Sequence, residues 1–236
     1  MAYKITRLIK RAVPRIAVKM FPVRWKEHHE LLYWKERKEA EGSLSNGYYA
    51  HFYTKHFDID DFFYSNKTIL DIGCGPRGSL EWATMAKRRF GLDPLAKEYL
   101  KLGANYHNME YLDSPAESIP LMDAECDVVF SFNSLDHVRD IGSTVEEIKR
   151  ITKPGGLFLL LVEINHEPTF CEPHKLSPNT LIQSLEPEFI CEGVEVYRRT
   201  NRGMYGSIRA GESISNPMDT NEVGYMSARF SRIFPN

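Results

Sequence analysis

The apolar positions change their period along the chain, and each change marks a different kind of structure. Over residues 4–20, Ile5, Leu8, Ile9, Ala12, Val13, Ile16, Ala17 and Met20 recur at helical spacing, with basic residues filling the other face. That pattern predicts a basic amphipathic helix, kinked or divided at Pro14. Residues 27–64 are charged and aromatic, with Trp34, Tyr48, Tyr49, Phe52, Tyr53, Phe57, Phe62, Phe63 and Tyr64. They read as helices that brace or cover the core of the chain, since packing is the ordinary role of such rings. From Thr68 short apolar runs alternate with helical stretches. Strands are predicted at 68–72, 89–92, 109–112, 127–133 and 157–164, and helices near 79–88, 94–102, 144–152 and 177–185. Strands separated in this way require right-handed crossovers and a parallel sheet. After residue 193 the alternation stops. Val194–Arg199 and Gly224–Arg232 read as two strands joined by a polar loop rich in Gly, Ser and Asn, an antiparallel pair closing a parallel sheet. The expected organisation is an N-terminal helical arm over 1–40 and a doubly wound α/β domain over 41–236.

Charge sharpens the picture of the arm. The chain as a whole is nearly neutral, at −2. Residues 1–26 nevertheless carry eight basic side chains (Lys4, Arg7, Lys10, Arg11, Arg15, Lys19, Arg24, Lys26) and no acidic one, which leaves the remainder ten charges negative. Two roles fit: a helix laid on the protein's own acidic body, or peripheral docking of residues 4–20 on an anionic membrane. No basic excess lies outside the arm, so a nucleic-acid partner is not expected. The four cysteines, Cys74, Cys126, Cys171 and Cys191, are far apart and include no C-x-x-C pair. Reduced thiols in the cytoplasm are expected, with neither a disulfide framework nor a zinc site. The histidines show no ligand spacing, so no metal is expected.

The most specific segment is Ile69-Leu70-Asp71-Ile72-Gly73-Cys74-Gly75-Pro76-Arg77-Gly78. It reads as a buried strand running into a glycine-rich turn that opens a helix. Gly73, Gly75 and Gly78 satisfy the G-x-G-x-x-G spacing, where missing side chains let the backbone approach a nucleotide. Asp93, twenty residues after Gly73, ends the next strand and is placed to hold both ribose hydroxyls. This much fits a nicotinamide dinucleotide as well as S-adenosylmethionine (SAM). Charge separates them. A dinucleotide sets its pyrophosphate over the turn, where the Asp71 carboxylate would repel it. SAM presents an ammonium and a sulfonium there, which a carboxylate suits.

The segment Asp71–Gly78 resembles the cofactor loop of class I SAM-dependent methyltransferases of the type 11-like, small-molecule branch, and later stretches agree in order. Gly91-Leu92-Asp93-Pro94 is similar to the acidic end of that family's second strand, and Ala116-Glu117-Ser118-Ile119-Pro120 to the segment bordering the adenine. Asp127–Val138 resembles its fourth strand with the following L-x-H-V, and Lys153-Pro154-Gly155-Gly156 its P-G-G turn. The resemblance implies a Rossmann-like, mostly parallel seven-stranded sheet with an antiparallel C-terminal strand. It also implies SAM as cofactor. Carried over by residue, it places Asp71, Gly73, Cys74, Gly75, Pro76 and Gly78 around the methionine part, and Asp93 with Pro94 at the ribose. Ala116 and Glu117 fall at the adenine edge, and Asn133 and Ser134 near the sulfonium. Two positions depart from the family pattern: the third glycine comes one place late, after Arg77, and Pro115 stands where an aspartate is usual.

Methyl transfer from a sulfonium is an in-line displacement that depends on positioning, and a hydroxyl acceptor also needs a base. His137, after the fourth strand, and His166 and His174, after the fifth, are the candidate bases, with Glu172 near enough in sequence to orient one. The expected acceptor is a small molecule, a glycan or a lipid-linked compound, methylated at oxygen. No N-P-P-aromatic stretch follows the fourth strand, which argues against amino-methylation of a DNA base. Two rival readings share the fold: a nicotinamide-dependent dehydrogenase and a non-catalytic SAM-fold partner subunit.

Overall fold

A computed structural model describes residues 22–46 and 49–234; the helix expected over 4–20 lies outside them. The chain divides between Gly42 and Ser43. In the first unit, helix α1 (Pro22–Glu41) carries an Arg37–Glu41 ion pair of 2.6 Å at i,i+4 spacing, the register at which helical side chains meet.

The second unit is built on a seven-stranded sheet of β1 (Thr68–Ile72), β2 (Arg88–Leu92), β3 (Glu110–Leu112), β4 (Cys126–Phe132), β5 (Thr152–Ile164), β6 (Phe189–Arg198) and β7 (Gly224–Arg232). Its order is β3-β2-β1-β4-β5-β7-β6, and only β7 runs antiparallel to its neighbours. The chain steps outward from β1 through β2 to β3, then returns to β4 on the other side of β1. That reversal opens a crevice at the carboxyl ends of β1 and β4, where doubly wound sheets hold their ligands.

The central strands are buried on both faces, which is why they read as continuous apolar runs. Leu70, Ile72, Val129, Phe158 and Leu160 face one core layer with α4 (Ile141–Ile151) and α5 (Pro178–Leu185). Ile69, Val128, Phe130, Leu159 and Leu161 face the other. There they meet Phe52 and Tyr53 of the short helix α2 (Ala50–Tyr53), the 3-10 turns around Phe57 and Tyr64, and Met204 and Ile208 of α6 (Gly203–Ala210). Phe52, Tyr53, Phe57 and Tyr64 thus form a core layer, while Phe62 and Phe63 stay exposed. A short helix, α3 (Ala96–Lys101), follows β2.

Two expectations fail. No helix follows the glycine turn; residues 73–87 run through successive turns to β2. The ten residues 78–87 coiled as a helix would rise only about 15 Å. The connection must return along a five-residue strand of about 17 Å, with a turn at each end. Turns cover the distance, and they still bury Leu80 and Ala83. The polar connection after β6 is also more than a loop, because it contains α6, which buries Met204, Ser207 and Ile208 on one helical face. At β5 the Pro154-Gly155-Gly156 segment bulges out between the pairs Cys126–Thr152 and Val128–Leu157, with Gly155 at φ +74°.

Candidate active site

The turn after β1 is held from three sides. Gly73 and Cys74 both donate their amides to the Leu92 carbonyl at the end of β2, at 2.8 and 3.2 Å. Gly75 donates to Asp93 Oδ2 at 3.2 Å, and Gly78 to the Tyr111 hydroxyl at 3.1 Å. His107 Nδ1 lies 2.8 Å from that hydroxyl and its Nε2 3.0 Å from the Leu44 carbonyl, so β3 and the segment before α2 brace the turn together. Gly73, Gly75 and Gly78 sit at φ +72°, +59° and +68°, a region other residues enter at a cost. Gly73 is doubly constrained. A Cβ there would stand 2.2 Å from Ser134 Cβ, across the crevice between β1 and β4.

Asp71 lies one residue inside the end of β1 and is buried, not solvated at the mouth. Its Oδ2 accepts from the Tyr53 hydroxyl at 3.0 Å. Burial pushes its carboxyl up to about 7, against the opposing pull of the Ser79 and Tyr53 hydroxyls. Tyr205 of α6 packs beside it, edge-on to Tyr49, at 4.6 Å between ring centroids, and its hydroxyl is pushed up by burial and by Asp71. The Cys74 Sγ fills the space over Gly91 of β2, and burial raises its thiol. Pro76 is buried within the turn and Pro94 is exposed beside Asp93. Asp93 itself is buried, with Oδ1 accepting from the Leu95 amide at 2.9 Å. Each carboxylate oxygen has more than one lone pair, so these backbone bonds leave acceptor capacity for a ribose.

On the β4 side, Asn133 follows the strand at φ +58° and is exposed. Ser134 is buried, donates to the Ile72 carbonyl at 2.6 Å and lies 2.8 Å from Ser131 Oγ. Ala116 packs into the core, while the Glu117 carboxylate accepts from the Arg139 and Asp140 amides at 2.6 and 3.0 Å. Glu117 thereby ties its segment to the start of α4.

The three histidines do not converge on one point. His174 Nε2 sits 2.8 Å from the Val138 carbonyl, and Glu172 bonds to Thr169. His166 lies on the connection after β5 and is buried. Its Nδ1 lies 3.0 Å from the Glu167 carbonyl, and its Nε2 has no hydrogen-bond partner among the described residues. That Nε2 is 3.9 Å from Asp136 Oδ2, and so is Nε2 of the more exposed His137. Asp136 Oδ1 is likewise buried without a partner, and burial pushes the carboxyl up to about 7. A pair of orphaned polar atoms in a buried site is costly and rare enough to call for a function. Asp136, Tyr53, Tyr111 and Tyr205 were not singled out from sequence as site residues. Only Asp136, beside His137, carried a local signal. Among the described residues no group of three or more His, Cys, Asp or Glu side chains is placed to hold a metal ion.

Comparison with known proteins bears on the same segments. The model of a methyltransferase domain matches residues 70–160, from β1 through the glycine turn to the middle of β5. Residues 70–160 thus match a methyltransferase domain. A Mycolicibacterium smegmatis protein named a probable S-adenosylmethionine-dependent methyltransferase is 32% identical over 97 residues, 41% of this chain and 38% of its own. A malonyl-[acyl-carrier protein] O-methyltransferase of Yersinia pestis is 36% identical over 93 residues, 39% of this chain and 34% of its own. The chain thus spans well under half the length of these relatives. In fold, the domain is similar to an S-adenosylmethionine-dependent methyltransferase of Mesorhizobium loti, with a TM-score of 0.57 at 18% identity over 72% of this chain and 92% of that one. SAM is the cofactor of this methyltransferase family. The donor set fits it. A glycine turn with no phosphate-binding helix behind it, a carboxylate at the end of β1 and another at the end of β2 suit a cation and a ribose, not a pyrophosphate.

Proposed function

We propose that this chain methylates a hydroxyl group of a small or glycan-like acceptor, with SAM as donor. The observation that carries the reading is the buried Asp136–His166 pair at the carboxyl ends of β4 and β5, beside the crevice between β1 and β4 where SAM would lie. Gly73, Gly75 and Gly78 would lie along the methionine part, Asp71 would face its ammonium, and Asp93 would hold the ribose. Asn133 and Ser134 would border the sulfur, Ala116 and Glu117 the adenine. When bound, SAM supplies an electrophilic methyl group.

The chain's own work is then to bring an oxygen in line and to remove its proton. With Nδ1 donating to the Glu167 carbonyl, His166 keeps its lone pair on Nε2, turned toward Asp136. The attacking hydroxyl would lose its proton to Nε2 as the new carbon–oxygen bond forms, and the Asp136 carboxylate would stabilise the imidazolium. Asp136 is a positioning residue in this scheme, and His137 and His174 are the next candidates for the base.

Labelled SAM incubated with the protein and a fractionated cell extract tests the reading. Label should enter an aqueous or polymer fraction as a base-stable ether. His166→Ala should lower turnover about 10²–10⁴-fold with SAM affinity nearly unchanged, and Asp136→Asn should displace the pH profile. Transfer to nitrogen or carbon, or wild-type turnover in both variants, would overturn the hydroxyl-and-base scheme. An absence of transfer from every fraction would favour a partner subunit over an enzyme.

A further inference from the structure

The 25-residue connection between β6 and β7 lies at the same carboxyl end of the sheet as the Asp136–His166 pair, and it borders a shallow, open cleft of about 560 Å³. Arg198, Ser215, Asn216, Asp219, Thr220 and Glu222 contribute to its wall, and Ile214 is its one apolar side chain. The cleft is pinned on three sides. Ile214 donates its amide to the Val196 carbonyl at 2.7 Å, and the Arg198 amide donates to Glu212 at 2.9 Å, both fixing it to β6. Asn179 of α5 donates to the Met218 carbonyl at 3.0 Å. Asn165, the residue before His166, donates from Nδ2 to the carbonyls of Thr220 and Glu222 at 3.0 and 3.1 Å. The cleft and the proposed base therefore hang on adjacent residues.

From this we infer that the cleft binds the polyhydroxylated, uncharged part of the acceptor, a neutral sugar or similar polyol. The inference rests on the hydroxyl-acceptor reading above and deepens it. Three properties of the wall support the assignment. Seven of the eight lining side chains end in polar groups, which an acyl chain would leave without partners. A phosphate or carboxylate requires surplus positive charge, yet Arg198 is already neutralised by Glu222 at 2.7 Å and Asp219 leaves the wall one charge negative. Vicinal hydroxyls match what is present: carboxylates that accept, and amides and hydroxyls that both donate and accept. Because the walls are pinned before anything binds, little ordering entropy opposes a weakly held polar ligand.

The test uses the full chain with S-adenosylhomocysteine added, and saturation-transfer NMR with four probes at millimolar concentration. These are neutral methyl glycosides, sugar phosphates, a short-chain acyl thioester and a polyamine. Neutral glycosides should give contacts, and the other three should not. Asp219→Leu should weaken glycoside binding by about ten-fold or more, the loss expected for a charge-assisted hydrogen bond, and Asn216→Leu by about three- to ten-fold, that of a neutral one; both lie on the exposed connection. Their S-adenosylhomocysteine affinity, measured by calorimetry, should stay at the wild-type value, which shows that the variants fold. His166→Ala should keep the glycoside contacts. Preference for the phosphate, acyl or amine probe overturns the inference, as does glycoside contact that ignores both cleft variants or no glycoside contact at all. If glycosides bind through the cleft while His166→Ala retains full turnover, the base assignment falls and the cleft assignment stands.

Discussion

Two buried aspartates, one after β2 and one after β4, are given different tasks by their surroundings. Asp93 is bound by backbone amides on both oxygens, an arrangement that holds the charge and its direction. Asp93→Ala should weaken SAM by about 1–3 kcal/mol, the cost of losing charge-assisted hydrogen bonds, and calorimetry showing wild-type affinity would remove it from the ribose site. Asp136 lacks such donors on Oδ1, and its proton is retained to about 7 against a reference of 3.8. Between those two values the native state binds more protons at this group than the unfolded chain does. Its contribution to stability is therefore complete below about pH 4, declines as the pH rises, and is lost above about 7. Charging is also opposed by Glu163 and Glu172 and favoured by His166. Asparagine cannot charge, so the melting temperature of Asp136→Asn relative to wild type should rise steadily across that interval. A difference independent of pH would mean that the carboxyl is ionised throughout.

At the scale of elements, the connection between β1 and β2 shows what the chain's local pattern could and could not tell. The central strands were legible because β1, β4 and the second half of β5 are short apolar runs buried on both faces. The glycine turn was legible because three glycines at fixed spacing mark a backbone that needs positive φ. The predicted helix over 79–88 was not realised, although Leu80 and Ala83 keep helical spacing, because the span to be bridged is a tertiary distance that periodicity does not contain. Conversely α6 was hidden by Gly203 and Gly206, while Met204, Ser207 and Ile208 held the helical stripe. Of the site, the cofactor loop was readable locally. The Tyr53–Asp71 bond and the Asp136–His166 approach join residues 18 and 30 positions apart and needed the fold. The same turn gives a direct test of element packing. Gly73→Ala should cost about 1–3 kcal/mol, since its Cβ meets Ser134 across the crevice at a positive φ. Adding Ser134→Gly should recover part of that loss in urea unfolding, leaving the φ cost; strict additivity of the two changes would show that the strand ends do not touch.

For the whole molecule, the charge distribution is the feature that neither the sheet nor the crevice explains. Six of the basic side chains of the arm precede Pro22, where α1 begins, and everything after residue 26 is ten charges negative. Two uses of such a segment make opposite predictions. If its apolar stripe and basic face lie on an anionic bilayer, each lysine or arginine near the surface contributes about 1 kcal/mol, and the attraction falls off within a Debye length of about 8–10 Å. Full-length protein should then float with vesicles containing phosphatidylglycerol, bind less to phosphatidylcholine alone, and release as salt rises. A chain beginning at Pro22, which keeps α1 whole, should stay at the bottom of the gradient under all these conditions. If the segment instead lies on the acidic body, removing it should lower the melting temperature of the remaining domain, in low salt more than in high, and neither chain should float. Among the described residues no helix is long and apolar enough to cross a membrane. Membrane docking would place the methyltransferase crevice close to surface-bound acceptors, and a glycan carried on a lipid would satisfy both the arm and the polar cleft. Loss of flotation in the shortened chain, with the melting temperature unchanged, is the result that the docking model requires.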